Sequence, residues 1–131
     1  MSQENVERLR QALDAFNRRD LDAFLALVDD DLEYVPRAVA MEGSHHGHDG
    51  IRRWWEDVFD VWPDLTSQLV EVRDVGDLTV AAVHFRGHGA GSDIPLDETS
   101  WQVNRWRRGK CVWWRGLDTR AEALEAAGLS E

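Results

Sequence analysis

Apolar residues recur at steps of three and four through residues 3–18, where Val6, Leu9, Leu13 and Phe16 share one side and charges fill the other. That period predicts an amphipathic helix, with Ser2 placed as its N-cap. Asp20 is positioned to cap a shorter second helix whose apolar side is Leu21, Phe24, Leu25 and Val28. The acidic run Asp29, Asp30, Asp31 then reads as a solvated turn. Leu32-Glu33-Tyr34-Val35 alternates and stops at Pro36, as a short strand does, and the glycine-rich stretch 41–47 reads as a loop. A third helix starts near Asp49, gathers Ile51, Trp54 or Trp55, Val58, Phe59 and Trp62 on one side, and ends at Pro63. From there the period changes to two. Residues 65–75, 78–89, 96–107 and 110–117 read as strands, with Gly76-Asp77 as a turn and Arg108-Gly109 at a hairpin tip. Thr119 and Glu122 have capping-box spacing and open a short Ala/Leu-rich helix that Gly128 closes.

These elements compose one α+β domain over residues 1–131: a curved, mostly antiparallel sheet, three N-terminal helices on one face, and a short C-terminal helix. A three-residue loop with Gly109 left-handed would set Gln102 opposite Trp114, Asn104 opposite Val112, and Val103 opposite Trp113. One face would then carry Ser100, Gln102, Asn104, Trp106, Val112, Trp114 and Gly116. The other would carry Trp101, Val103, Arg105, Cys111, Trp113 and Arg115. A two-residue loop shifts these pairings by one. Both faces mix apolar and polar groups, which points to a pocket beneath helices on one side and a second subunit on the other.

Composition narrows the function classes. Lys+Arg 15 against Asp+Glu 25 gives a net charge of -10, so the mean field repels phosphate backbones, and the basic cluster Arg105, Arg107, Arg108, Lys110 and Arg115 is confined to one hairpin. No nucleic-acid partner is expected. Cys111 stands alone and makes no intramolecular disulfide, the opening residues lack the apolar stretch of a signal peptide, and no apolar run approaches the ~18 residues of a membrane span. A soluble cytoplasmic protein with no membrane partner is expected. His45, His46 and His48 beside Asp49 suggest a metal cluster, but adjacent histidines in a glycine-flanked loop do not converge on one ion. Neither metal nor cofactor is expected.

Several fragments carry a resemblance through almost the whole chain. They are Phe16-Asn17-Arg18-Arg19-Asp20, Leu32-Glu33-Tyr34-Val35-Pro36, Gly47-His48-Asp49-Gly50-Ile51, Trp62-Pro63-Asp64-Leu65, Arg108-Gly109-Lys110, and the ending from Asp118 to Leu129. In this order they resemble SnoaL-like proteins of the nuclear transport factor 2-like superfamily. The resemblance implies a cone-shaped α+β barrel with a deep pocket between the helices and the concave side of the sheet, and dimerisation through the sheet's outer side. Members include polyketide cyclases, ketosteroid isomerases, epoxide hydrolases and many proteins with no known reaction. In the cyclase-like members an aspartate on the last strand acts as acid/base, and the matching position here is Gly116. Asp118 has the same side-chain parity and could substitute, or could help cap the final helix. The carboxylate-arginine-carboxylate arrangement of the epoxide hydrolases is not recognisable, which argues against that reaction.

Isomerisation or cyclisation beside a carbonyl needs a base for a carbon-bound proton and a donor for the enolate oxygen. Tyr34 is a candidate donor, or else a buried packing residue, and His46 at the pocket rim or Asp118 is a candidate acid/base. Gln102 and Asn104 would orient a ligand among Trp54, Val58, Trp106 and Trp114. His84, Arg86 and His88 alternate opposite Ala81, Val83 and Phe85 and are expected on the outer face. Trp101, Val103 and Trp113 would form a homodimer seam. The expected ligand is a small hydrophobic or polycyclic molecule bearing carbonyl or hydroxyl groups, taken by a cofactor-independent isomerase or cyclase. The alternative is a non-catalytic ligand-binding or dimerisation module, which Gly116 favours.

Overall fold

The computed structural model describes residues 3–36 and 44–129. Ser2 and the loop residues Met41, Glu42 and Gly43 lie outside the described residues. In chain order the elements are α1 (Gln3–Asn17), α2 (Leu21–Leu25), β1 (Val28–Val35), β2 (His45–His46), α3 (Gly47–Val61), β3 (Thr66–Val75), β4 (Leu78–His88), β5 (Pro95–Arg107), β6 (Lys110–Leu117) and α4 (Arg120–Ala126). The strands form one six-stranded, curled and unclosed sheet in the order β2-β1-β6-β5-β4-β3. Every neighbouring pair is antiparallel except β1 and β6, which run parallel.

Local signals placed most of these elements. α1 buries Leu9, Ala12, Leu13, Ala15 and Phe16 on one stripe, and the Asp20 carboxylate accepts the Ala23 N–H at 3.1 Å to cap α2. Besides β2, which falls inside the stretch 41–47 read as a loop, two elements depart from the sequence reading. α2 ends at Leu25, and Val28 opens β1 together with the acids expected to form a turn. The cause is long-range: Val28 pairs with Cys111, and the Cys111 N–H donates to Leu27 O at 2.8 Å, so the ladder with β6 draws this stretch into the sheet. The acids keep water on their side chains while Val28 and Leu32 are fully buried.

The hairpin tip is the second departure. Arg107 pairs with Lys110, and both Arg108 (φ 54) and Gly109 (φ 80) are left-handed, the conformation of a two-residue turn that matches strand twist. The register then slips between Arg105 and Trp106, because β6 carries one extra residue opposite them. Gln102 therefore faces Gly116, Asn104 faces Trp114, Val103 faces Arg115 and Arg105 faces Trp113. The expected pairings are displaced by two positions and most faces survive, because a shift of two preserves parity. Cys111 does not: it faces the helices with Trp106 and Trp114, in the core, while Val112 is only half-buried.

α1, α2 and α3 cover the inner face, where Leu32, Tyr34, Ala81, Val83, Phe85, Trp106, Cys111 and Trp114 join one apolar core with Phe16, Phe24, Trp54, Trp55 and Val58. α4 lies on the opposite face against Leu78, Val80 and Val103, flanked by Trp101, Trp113 and Leu117. Val103, expected in a subunit seam, is thus already fully buried within the single chain. The cap of α4 is Thr119, not Asp118: Thr119 Oγ1 accepts the Glu122 N–H at 3.1 Å, and Glu122 Oε1 accepts the N–H groups of Asp118 and Thr119 at 3.2 Å. Thr119→Ala is expected to lower stability by about 1 kcal/mol in thermal melts. No loss would show that α4 is held by its apolar contacts alone.

Candidate functional site

Strand parity turns Leu32 and Tyr34 toward the helices, and Tyr34 joins an aromatic cluster there. Its ring lies 4.9 Å from Trp54 edge-on, 5.5 Å from Trp114 and 6.2 Å from His45, centroid to centroid. Burial, reinforced by the neighbouring Cys111, pushes the Tyr34 hydroxyl far above the ordinary tyrosine range. It remains an O–H donor at neutral pH.

β2 decides which histidine joins this cluster. Tyr34 pairs with His45 and Glu33 with His46, so His45 shares Tyr34's face while His46 points the other way and is exposed. Two glycines hold this arrangement. Gly47 has φ +65, and a Cβ there would stand 2.5 Å from Asp30 O; a Cβ on Gly50 would lie 3.1–3.3 Å from His45 backbone and Cβ atoms. Gly47 has to lack a side chain for α3 to start this close to β1, and a methyl at Gly50 would need its neighbours to give by a few tenths of an ångström. His48 adds a strap, its Nε2–H donating to Val28 O at 2.7 Å. His45 Nε2 itself is shielded from solvent and has no hydrogen-bond partner among the described residues, and the same holds for Trp54 Nε1 and Ser100 Oγ. Burial lowers the His45 pKa, against a smaller upward pull from Asp57 and with a further downward one from Arg53, so its imidazole is neutral at neutral pH.

The amides expected to orient a ligand are largely engaged by the protein. Gln102 Oε1 accepts the Trp114 indole N–H at 3.1 Å. Trp106 Nε1–H donates to Thr79 Oγ1 at 2.9 Å, and Thr79 Oγ1–H donates to Asn104 Oδ1 at 3.1 Å, which closes a buried relay. Val58 is a fully buried core residue. Asp118 is exposed where the chain leaves β6. His46 lines a polar surface cleft with Asp30, His48, Asp49 and Arg52. Thus Tyr34, Trp54, Trp114 and Gln102 come together, Asn104 and Trp106 join the relay beside them, and His46 and Asp118 stand on the surface.

Other reactive groups are committed elsewhere. Burial pushes the Cys111 thiol up to about 12, against downward pulls from the Trp113 backbone and the Asn104 amide, so it stays protonated. His84 uses both ring nitrogens on the outer face, one with Thr99 Oγ1 at 2.8 Å and the other with Asp97. No three His, Cys, Asp or Glu side chains converge on a metal position among the described residues. No helix of the described residues is long and apolar enough to cross a membrane.

His45 is the residue that sequence reasoning missed. The alternation of His45 with His46 was visible, but which of them faces inward depends on how β2 registers against β1.

The sequence profile of the SnoaL-like domain family matches residues 9–117. No functionally curated protein matches the chain in sequence. Among solved structures, a nuclear transport factor 2-like protein of unknown function from Burkholderia pseudomallei superposes with a TM-score of 0.80 at 21% identity, covering 93% of this chain and 95% of that one. A candidate SnoaL-like polyketide cyclase from a Jannaschia species gives 0.78 at 16% identity, covering 96% and 92%. IdmH, a candidate polyketide cyclase from Streptomyces antibioticus, gives 0.75 at 20% identity, covering 95% and 98%. At such identities the likeness is one of fold.

Proposed function

Because this chain belongs to the SnoaL-like domain family, we propose that it binds a small, uncharged, largely apolar molecule, aromatic or polycyclic, with carbonyl or hydroxyl oxygen. The ligand lies against Tyr34, His45, Trp54, Gln102 and Trp114. One observation carries this reading: the buried polar atoms His45 Nε2 and Trp54 Nε1 lack partners among the described residues, beside a firmly protonated tyrosine. Such atoms each cost about 1–3 kcal/mol unless something hydrogen-bonds to them. Flat indole and phenol rings supply the apolar wall. None of the described buried residues is charged, which selects against an ionised ligand. The reaction class that suits these groups is cofactor-independent isomerisation or cyclisation beside a carbonyl, in keeping with the cyclase descriptions of two fold relatives.

A second reading, ligand binding without turnover, draws on Gly116 in place of a carboxylate and on the engagement of Gln102 and Asn104 by protein donors. Under either reading we take the protein to be cytoplasmic and to pair with a second copy through the part of the outer face that α4 leaves open, around the half-buried Trp101 and Trp113.

Tryptophan fluorescence titrated with uncharged bicyclic ketones and phenols tests the site. Saturable quenching is expected, weakened about three- to tenfold by Tyr34→Phe through loss of one hydrogen bond. Mass spectrometry of the mixtures separates turnover from binding alone. Quenching by none of the compounds overturns the proposed site.

A further inference from the structure

We propose that His45 is the proton-accepting catalytic residue of this site, doing from β2 what an aspartate on the last strand does in related cyclases. The inference rests on the reading of this cluster as a ligand site. β6 carries no Asp or Glu, so a base beside this cluster has to come from another element. Of the titratable groups gathered there, Tyr34 and Cys111 are held protonated by burial and cannot take a proton at neutral pH. His46, one residue from His45, points to solvent.

His45 has what a base requires. Its Nε2 is screened from water and carries no hydrogen bond from the described residues, which leaves that nitrogen for a ligand. The charged groups that act on it, Asp57 and Arg53, both belong to α3 and oppose one another, so burial sets the outcome and the ring is neutral. The main chain that carries the ring is pinned by pairing with Tyr34 and by Gly50 beneath it. Tyr34 and His45, with ring centroids 6.2 Å apart, can bracket adjacent atoms of one ligand: a carbonyl oxygen and a hydrogen on the neighbouring carbon.

The step is balanced within the ligand and two side chains. The α C–H bond breaks, its proton passes to His45 Nε2 to give an imidazolium, and the electron pair forms a C=C bond as the carbonyl becomes an enolate. The enolate oxygen accepts a hydrogen bond from the Tyr34 hydroxyl. Return of the proton to the α-carbon restores the ketone, and in a ligand with a β,γ C=C bond its return to the γ-carbon of the conjugated enolate leaves an isomer; either restores neutral His45, so no oxidant, reductant or co-reactant is consumed.

The test follows deuterium uptake at the α-carbons of 2-tetralone in D2O by proton NMR, with binding of 2-naphthol read in parallel by tryptophan fluorescence. The protein is expected to accelerate exchange over buffer, with a rate that rises with pH through a midpoint below the ordinary imidazole value of 6.5. His45→Gln should lose about 100-fold or more of the enhancement, against a weakening of 2-naphthol binding of about tenfold at most, the scale of one hydrogen bond. Binding without accelerated exchange overturns the His45 assignment alone, and so does full exchange by His45→Gln or its loss in His46→Gln instead. Failure to bind 2-naphthol overturns the ligand site as well. Should His45→Gln unfold, the exchange midpoint of the unaltered protein is compared with the His45 ring titration followed by NMR. Coincidence supports the assignment and a mismatch overturns it.

Discussion

Trp114→Ala is expected to cost about 3–5 kcal/mol of folding stability, the range for a buried aromatic truncated in a core. That is a large part of the roughly 5–15 kcal/mol that holds a domain together. The Trp114 ring stacks on Phe24 at 5.7 Å and meets Tyr34 at 5.5 Å, so its removal opens a cavity between α2 and the sheet. It also strips the Gln102 carbonyl of the indole N–H that it accepts at 3.1 Å. Trp113, its neighbour in sequence, faces the other way and packs half-buried beside α4. Trp113→Ala should therefore cost clearly less stability, and its main effect should be on pairing of two copies. Urea unfolding measures the first quantity and sedimentation velocity the second. Equal stability losses would contradict the facing of β6, and a monomeric parent protein would remove the proposed seam.

The second large effect is expected at Gly47. Alanine there must adopt φ +65 and must also place its Cβ 2.5 Å from Asp30 O, a backbone atom fixed in β1. The strain of a left-handed non-glycine residue is about 1–3 kcal/mol, and the clash adds to it because neither strand nor helix can retreat without breaking the β1–β2 pairing. Gly91 offers the comparison: its φ is +71 but a Cβ would meet nothing within 4 Å, so Gly91→Ala bears the strain without the clash. Denaturant midpoints should rank Gly47→Ala well below Gly91→Ala. Only the former should also lose 2-naphthol quenching, because it displaces the segment that carries His45. Equal midpoints would mean that the β1–α3 junction is softer than its packing indicates.

Both predictions turn on facing, and facing separates what was legible in the sequence from what was not. The helical period of α1, the capping box of α4 and the alternation in β4, β5 and β6 are local patterns, and each predicted its element to within a few residues. The fragments resembling SnoaL-like proteins carried the family and the fold. The start of β1 was hidden because three successive acids look like a turn until β6 arrives alongside to pair with Val28.

The candidate site was legible only in part. Tyr34, Trp54, Trp114 and Gln102 were identifiable because an inward strand position and an apolar helix stripe announce themselves by period. Whether Asn104 would meet a ligand or Thr79 depended on the β4–β5 register, and whether Cys111 faced the helices depended on a bulge two residues past a turn. The choice between His45 and His46 depended on pairing across residues distant in the chain. Side chains alternate faces with a period of two along a strand, so a shift of one residue exchanges interior for surface. The sequence by itself determined the elements, the family and the candidate chemistry, because those are written in local spacing. The tertiary structure decided which member of each adjacent pair points inward, because hydrogen-bond register across strands is set by partners that local sequence does not name.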